Sequence, residues 1–164
     1  MRCVILSACP VSPELKRLLR PDDFIIACDA GYRNCAPLGC KPNIILGDFD
    51  TAPCPVQQND DIIVLPHVKD DTDTEYAARL ASEEGFTEGL LLWALCGRRI
   101  EQTRSSLDTG LLLEELGFQI TLTCLEKPNF ITRKPACLYG INRYNRFGNC
   151  STAEIMRQIL PDEK

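Results

Sequence analysis

Apolar residues along the first 125 positions cluster in short runs, and segments with helical spacing separate these runs. Continuous apolar runs bounded by proline and glycine are typical of strands that are buried on both faces. They predict six strands, over about residues 2–8, 24–28, 44–46, 62–65, 89–93 and 118–123. Strands of this kind are expected at the centre of the fold.

The segments between the strands predict helices over about residues 13–20, 32–38, 72–84 and 103–116. Ser12 suits the N-cap of the first helix and Pro13 its first position, while Gly39 suits the end of the second. Alternating strands and helices predict the α/β class: a mostly parallel central sheet of about six strands with helices on both faces. Ligands of such sheets bind at the carboxyl ends of the strands.

The alternation ends near residue 125. Beyond it, Lys127-Pro128, Lys134-Pro135 and Gly148-Asn149 interrupt the chain, and basic residues become frequent. We therefore predict one domain over residues 1–125 and an irregular basic tail over residues 126–164. One short helix is expected in the tail, over residues 151–160.

Composition restricts the classes of function. A net charge of −5 argues against a general nucleic-acid binder. No apolar run is long enough to cross a membrane, and the first is too short for a secretion signal, so we expect a cytoplasmic location. The ten cysteines form no Cys-x-x-Cys pair and there is one histidine, which gives a zinc site little support. We expect reduced thiols.

Acidic residues follow several of the predicted strands. Asp29 follows the second, Asp48 and Asp50 the third, and Asp70 and Asp73 the fourth. Neighbouring carboxylates repel each other, so a hard cation such as magnesium, which prefers oxygen ligands and commonly accompanies phosphate, is expected between them. The arginine loop Gly97-Arg98-Arg99 follows the fifth strand and could bind phosphate oxygens.

Each of these features also has a structural interpretation. Asp48 and Asp50 could form a solvated acidic turn, and Asp29 could cap a helix. Thr72 and Glu75 have the spacing of a capping box. The arginine loop could be a surface turn. A surface position is expected for His67.

Taken together, these segments resemble thiamine pyrophosphokinase (thiamine diphosphokinase). The resemblance covers residues 1–125, the family's nucleotide-binding catalytic domain, and is carried by ACDAGY at 27–32, LGCKPNIILGDFDT at 38–51 and KDDTDTE at 69–75. It implies transfer of a diphosphoryl group from ATP to the hydroxyl of thiamine, with AMP leaving. It also implies a homodimer, with ATP and thiamine as ligands and neither nucleic acid nor membrane as a partner.

The resemblance implies a role for each site residue. Catalytic roles fall to Asp48, Asp50, Asp70, Asp73 and Glu101. Magnesium would be held by Asp48, Asp50 and Asp73. Nucleotide-binding roles fall to Asp29, Gly31, Gly97, Arg98, Arg99 and Gln102.

The sequence departs from the family's pattern at three places, of which threonine for serine at Thr51 is the mildest. The motif Gly-Gly-Arg-x-Asp-His appears as Gly97-Arg98-Arg99-Ile100-Glu101-Gln102, so a bulky cation replaces the second glycine. The tail is not expected to form the family's C-terminal β-sandwich, which would impair thiamine binding. Two alternatives therefore stay open: a nucleotide-binding module without catalysis, and a haloacid-dehalogenase-type phosphatase that uses Asp48 as its nucleophile.

Overall fold

The computed structural model describes residues 1–50, 52–55, 61–68, 71–92, 100–123 and 131–132. Seven strands form one sheet: β1 (Cys3–Leu6), β2 (Phe24–Cys28), β3 (Ile44–Gly47), β4 (Asp61–Val64), β5 (Glu88–Leu92), β6 (Gln119–Thr123) and β7 (Ile131–Thr132). The six predicted strands are confirmed, with ends that shift by one or two residues. The two-residue β7 lies in the predicted tail, and the predicted helix over 151–160 lies outside the described residues.

The first helical element ends two residues earlier than predicted, and the second begins three residues earlier. A 3₁₀ helix spans Pro13–Leu18, and a second one, Asp29–Asn34, continues into the single turn of α1 (Cys35–Leu38). The two longer helices are α2 (Asp73–Glu83) and α3 (Ile100–Glu115). The α3 helix begins three residues earlier than predicted.

The strand order in the sheet is β4-β3-β2-β1-β5-β6-β7. Strands β1 to β6 pair in parallel, and β7 pairs antiparallel with β6. The chain builds outward from β1 to β4, then returns through α2 to β5 on the other side of β1. Because crossovers between parallel strands are right-handed, this reversal puts α2 and α3 on the face opposite α1 and the first 3₁₀ helix. The predicted α/β fold with helices on both faces is confirmed.

Burial explains why these apolar runs are central strands. Side chains of β1 and most of β2, β3 and β5 are buried on both faces of the sheet. Strand β4, at the sheet edge, is only partly buried. The order of strands has a topological switch point beside β1, and the carboxyl ends around such a point are where parallel sheets bind ligands.

Candidate active site

The loop after β3 carries the first two acidic residues. Asp48 is 15% exposed in its side chain, and Asp50 is exposed. Phe49 between them has a φ of 55°, a left-handed conformation that is uncommon for a bulky residue. The Asp50 amide donates to Asp48 Oδ1 at 3.3 Å, which closes a tight turn and keeps the two carboxylates on the same loop.

His67 is the site residue that the sequence interpretation missed. Its side chain is 71% exposed, as expected for a surface residue, yet its Nδ1 lies 3.5 Å from Asp48 Oδ2. One ligand atom each from Asp48, Asp50 and His67 lie within 4.8 Å of one another. His67 follows β4, which pairs in parallel with β3, so the two strands end at the same edge. A prediction that β3 and β4 pair in parallel would have placed His67 close to Asp48.

Asp29 is buried, at 7% exposure, and its φ of 48° is strained for a residue with a side chain. Within the described part of the chain, no hydrogen-bond donor reaches its buried Oδ1 atom. The helix-cap interpretation is wrong, because Asp29 is itself the first residue of the second 3₁₀ helix and the preceding position makes no side-chain cap. A strained, buried carboxylate at a strand end is a candidate ligand-binding group.

Two glycines, Gly47 and Gly31, allow close backbone contacts between the carboxyl ends of neighbouring strands. A Cβ on Gly47 would lie 2.9 Å from the Cα of Asp29. A Cβ on Gly31 would lie 2.4 Å from the Leu6 carbonyl oxygen and 2.8 Å from that of Ser7. Any side chain at Gly31 would therefore displace the end of β1. In this structure Gly31 serves backbone packing, and its predicted role in nucleotide binding stays a prediction.

The first turn of α2 lies against the end of β2. The Cys28 thiol donates to the backbone carbonyl of Asp73 at 3.6 Å. Burial, and then the negative charge of Asp73, raise the pKa of the Cys28 thiol well above its ordinary value. Asp73 therefore lies at the same edge of the sheet as Asp29. It is not one of the three residues whose ligand atoms lie within 4.8 Å of one another, which are Asp48, Asp50 and His67.

The capping box predicted at the start of α2 is present. The Thr72 amide donates to Glu75 Oε2 at 2.7 Å, and the Glu75 amide donates to Thr72 Oγ1 at 3.3 Å. These two residues therefore set where α2 begins, and their structural interpretation is confirmed. Asp73 takes no part in the box, although its charge suits the positive end of the helix dipole.

The remaining predicted site residues cannot be placed by their side chains. Asp70, Gly97, Arg98 and Arg99 lie outside the described residues. Glu101 and Gln102 fall in the first turn of α3 by backbone, and their side chains lie outside the described part.

The chemistry of the donor set fits a divalent cation. Magnesium is bound through one or two carboxylates, with water and phosphate completing its coordination, and Asp48 with Asp50 offers two carboxylates on one loop. The His67 ring nitrogen would add a ligand of a type that zinc, copper, iron and nickel accept more readily than magnesium does. A candidate cation site is therefore present on the loop that begins after Gly47, the residue whose backbone lies close to Asp29.

Comparison with known protein families assigns most of the chain that carries this edge to one family. The family described as "Thiamin pyrophosphokinase, catalytic domain" matches residues 15–122, more than half of the chain. This chain belongs to the thiamin pyrophosphokinase family. The matched residues include Asp29, Asp48, Asp50 and Asp73, and the resemblance read from the sequence is confirmed.

Solved structures of thiamin pyrophosphokinases have the same fold. The protein from Geobacillus thermodenitrificans is 22% identical with a TM-score of 0.62, over 75% of this chain and 59% of that one. The Bacillus subtilis protein is 18% identical with a TM-score of 0.61, over 74% and 60%. The Candida albicans protein is 16% identical with a TM-score of 0.56, over 74% and 56%. The chain thus matches less than two thirds of each of these proteins.

Two further findings bear on the comparison. No curated protein sequence is similar enough to this chain to count as a match. Among the described helices, none has the length and apolar character that crossing a membrane requires.

Proposed function

We propose that this chain is a thiamine diphosphokinase, which transfers a diphosphoryl group from ATP to the hydroxyl of thiamine and releases AMP. The observation that carries the proposal is the pair Asp48 and Asp50, held on one loop at the carboxyl edge of the sheet. The family match includes both residues. The family's reaction needs charge neutralisation and alignment more than a strong nucleophile, which suits an acidic, cation-binding edge.

In this proposal the chain's residues bind and align the reactants. Asp48, Asp50 and Asp73 would hold magnesium, and Asp70 would belong to the same acidic cluster as Asp73. When bound, magnesium supplies positive charge against the triphosphate. Asp29 would accept a hydrogen bond from the nucleotide, because an ionised carboxylate can only accept, and its partner must be a hydroxyl or amine rather than a phosphate oxygen.

The residues around α3 complete the proposed site. Gly97, Arg98 and Arg99 would contact the phosphates, since guanidinium groups bind phosphate oxygens in a bidentate manner. Glu101 and Gln102 would take the places of the family's aspartate and histidine, keeping a carboxylate and a hydrogen-bonding group.

A cytoplasmic homodimer belongs to the same proposal. Sedimentation at micromolar concentration tests the oligomeric state, and a single monomeric species would contradict the dimer.

The test is incubation of the full chain with ATP, magnesium and thiamine, with quantification of AMP and thiamine diphosphate. Both products should appear in equal amounts in the wild type, and Asp50→Asn should remove them. Asp61→Asn is the matched control, because Asp61 is an exposed carboxylate at the amino end of β4, the opposite edge of the sheet. Asp61→Asn should leave the rate unchanged.

Two outcomes would replace the proposal. ATP binding without any AMP would indicate the nucleotide-binding module that has lost catalysis. Inorganic phosphate without AMP would indicate the phosphatase.

A further inference from the structure

Two cysteines meet at the other end of the sheet, where α1 stops. Gly39 has a φ of 64°, the left-handed conformation that commonly ends a helix. The Gly39 amide donates to the Ala36 carbonyl at 3.1 Å, and the Cys40 amide donates to the Cys35 carbonyl at 3.1 Å. These two bonds define a Schellman motif, which holds residues 35 and 40 next to each other.

The side chains that meet in this motif are usually apolar, and here both are cysteines. The Cys40 sulfur lies 3.7 Å from the Cys35 carbonyl oxygen. Cys35 is buried and Cys40 is partly exposed, so one thiol of the pair is accessible. A hydrogen bond with the Cys35 thiol lowers the pKa of Cys40, and a thiolate is the form that attacks disulfides.

A basic cavity opens onto Cys40. Its volume is about 330 Å³, and it is lined by Gly39 and Cys40 together with three basic residues and one acidic residue: Lys16, Arg20, Lys41 and Asp23. The Lys16 ammonium lies 2.9 Å from the position that a Cβ on Gly39 would occupy, so it lies beside the residue that precedes Cys40. Positive charge at the mouth of a cavity raises the local concentration of anionic reagents.

We infer that Cys35 and Cys40 are a reactive thiol pair, which an anionic low-molecular-weight disulfide oxidises to an intramolecular disulfide. The Cys40 thiolate attacks one sulfur of the reagent, forming a mixed disulfide and releasing one reagent thiolate. The Cys35 thiol then loses its proton and attacks the Cys40 sulfur, which releases the second reagent thiolate. The reagent disulfide is reduced to two thiols while the protein dithiol is oxidised.

This pair is separate from the acidic edge. Cys40 and Lys41 lead into the amino end of β3, whereas Asp48 and Asp50 follow its carboxyl end. The inference therefore holds whether or not the proposed kinase activity is found. Three of the four other described cysteines provide controls: Cys54 is exposed, while Cys3 and Cys28 are buried.

The experiment treats the reduced, folded chain with glutathione disulfide, followed by intact mass measurement and peptide mapping. The wild type should lose two hydrogens and yield a peptide that links Cys35 to Cys40. Cys40→Ser should lose this link completely. Cys35→Ser should instead accumulate a mixed disulfide on Cys40, and Cys54→Ser should behave as the wild type does.

Cystamine, a cationic disulfide, tests the role of the lysines. The link should form on the order of 10-fold more slowly with cystamine than with glutathione disulfide. The inference is overturned if wild-type Cys40 stays a mixed disulfide, or if Cys35 links to another cysteine. Equal rates with the two reagents would overturn the part played by the basic cavity.

Discussion

Charged residues are paired with opposite charges at the amino edge of the sheet, whereas carboxylates lie close to each other at the carboxyl edge. At the amino edge, Arg2 and Asp23 form a buried pair with two bonds of 2.9 and 2.7 Å. The exposed Arg20 and Glu88 pair there through two bonds of 2.8 Å each. At the carboxyl edge, Asp48 and Asp50 bring like charges to within 4.8 Å of each other.

The charged residues of the amino edge stabilise the fold by pairing with each other, whereas those of the carboxyl edge have the arrangement expected of a ligand-binding site. The Arg2 side chain also donates to the Leu18 carbonyl at 2.7 Å, so the buried pair joins β1, the first 3₁₀ helix and the start of β2. Such a pair has a local structural reason. Gathering carboxylates costs folding free energy, and a cation bound between them would offset that cost.

Removing one partner of the buried pair Arg2–Asp23 is expected to change the free energy of unfolding more than the other substitutions do. Asp23→Ala leaves the Arg2 guanidinium buried without its carboxylate, and should lower the free energy of unfolding by about 3–5 kcal/mol. Chemical denaturation measures this, and Glu88→Gln at the exposed pair is the control that should show no measurable loss. A similar small loss in both variants would show that burial does not distinguish the two pairs.

Gly31→Ala tests the close backbone packing at the carboxyl edge. The added Cβ would lie 2.4 Å from the Leu6 carbonyl oxygen, and backbone cannot yield as a side chain does, so a loss of about 1–3 kcal/mol is expected. Gly89→Ala is the matched control, because its Cβ would come no closer than 3.0 Å, to the flexible end of Ile120. Equal losses in the two variants would contradict the close approach of β1 to the second 3₁₀ helix.

Cys3 gives a smaller, pH-dependent effect at the amino edge. Burial, and then the charge of Asp23, raise the pKa of the Cys3 thiol from 9.0 to about 12. The folded state therefore holds the thiol proton more tightly than the unfolded state. The resulting stability is complete below pH 9 and is lost as the pH rises towards 12.

Denaturation at pH 8 and pH 10 measures the Cys3 effect. The wild type should lose on the order of 1 kcal/mol between these values, and Cys3→Val should lose less. The same loss in both proteins would show that Cys3 does not titrate as described.

The fold was predictable from the sequence because its strands are continuous apolar runs with clear boundaries. Strand β2 has the predicted bounds, and the capping box of Thr72 and Glu75 marks the start of α2 as expected. The two-residue β7 was not predictable, since its stability comes from pairing with β6 rather than from its own sequence pattern. The early 3₁₀ helices likewise reflect packing against the sheet, which local propensity does not encode.

The site was predictable only in part. Asp48 and Asp50 are separated by one residue, so their proximity follows from the local sequence. His67 reaches Asp48 only because β4 pairs with β3, and this pairing depends on strand order. The strained backbone of Asp29 depends on contact with Gly47, a neighbour in space but not in sequence.

We predict that the carboxyl edge binds ATP together with a divalent cation. Calorimetric titration of ATP, in magnesium and in chelator, tests it most directly on the wild type, Asp50→Asn and Asp61→Asn. Binding should require magnesium, and Asp50→Asn should weaken it by at least about tenfold, or about 1.4 kcal/mol, while Asp61→Asn binds as the wild type does. Equal ATP affinity in magnesium and in chelator, or equal weakening by both variants, would contradict the account.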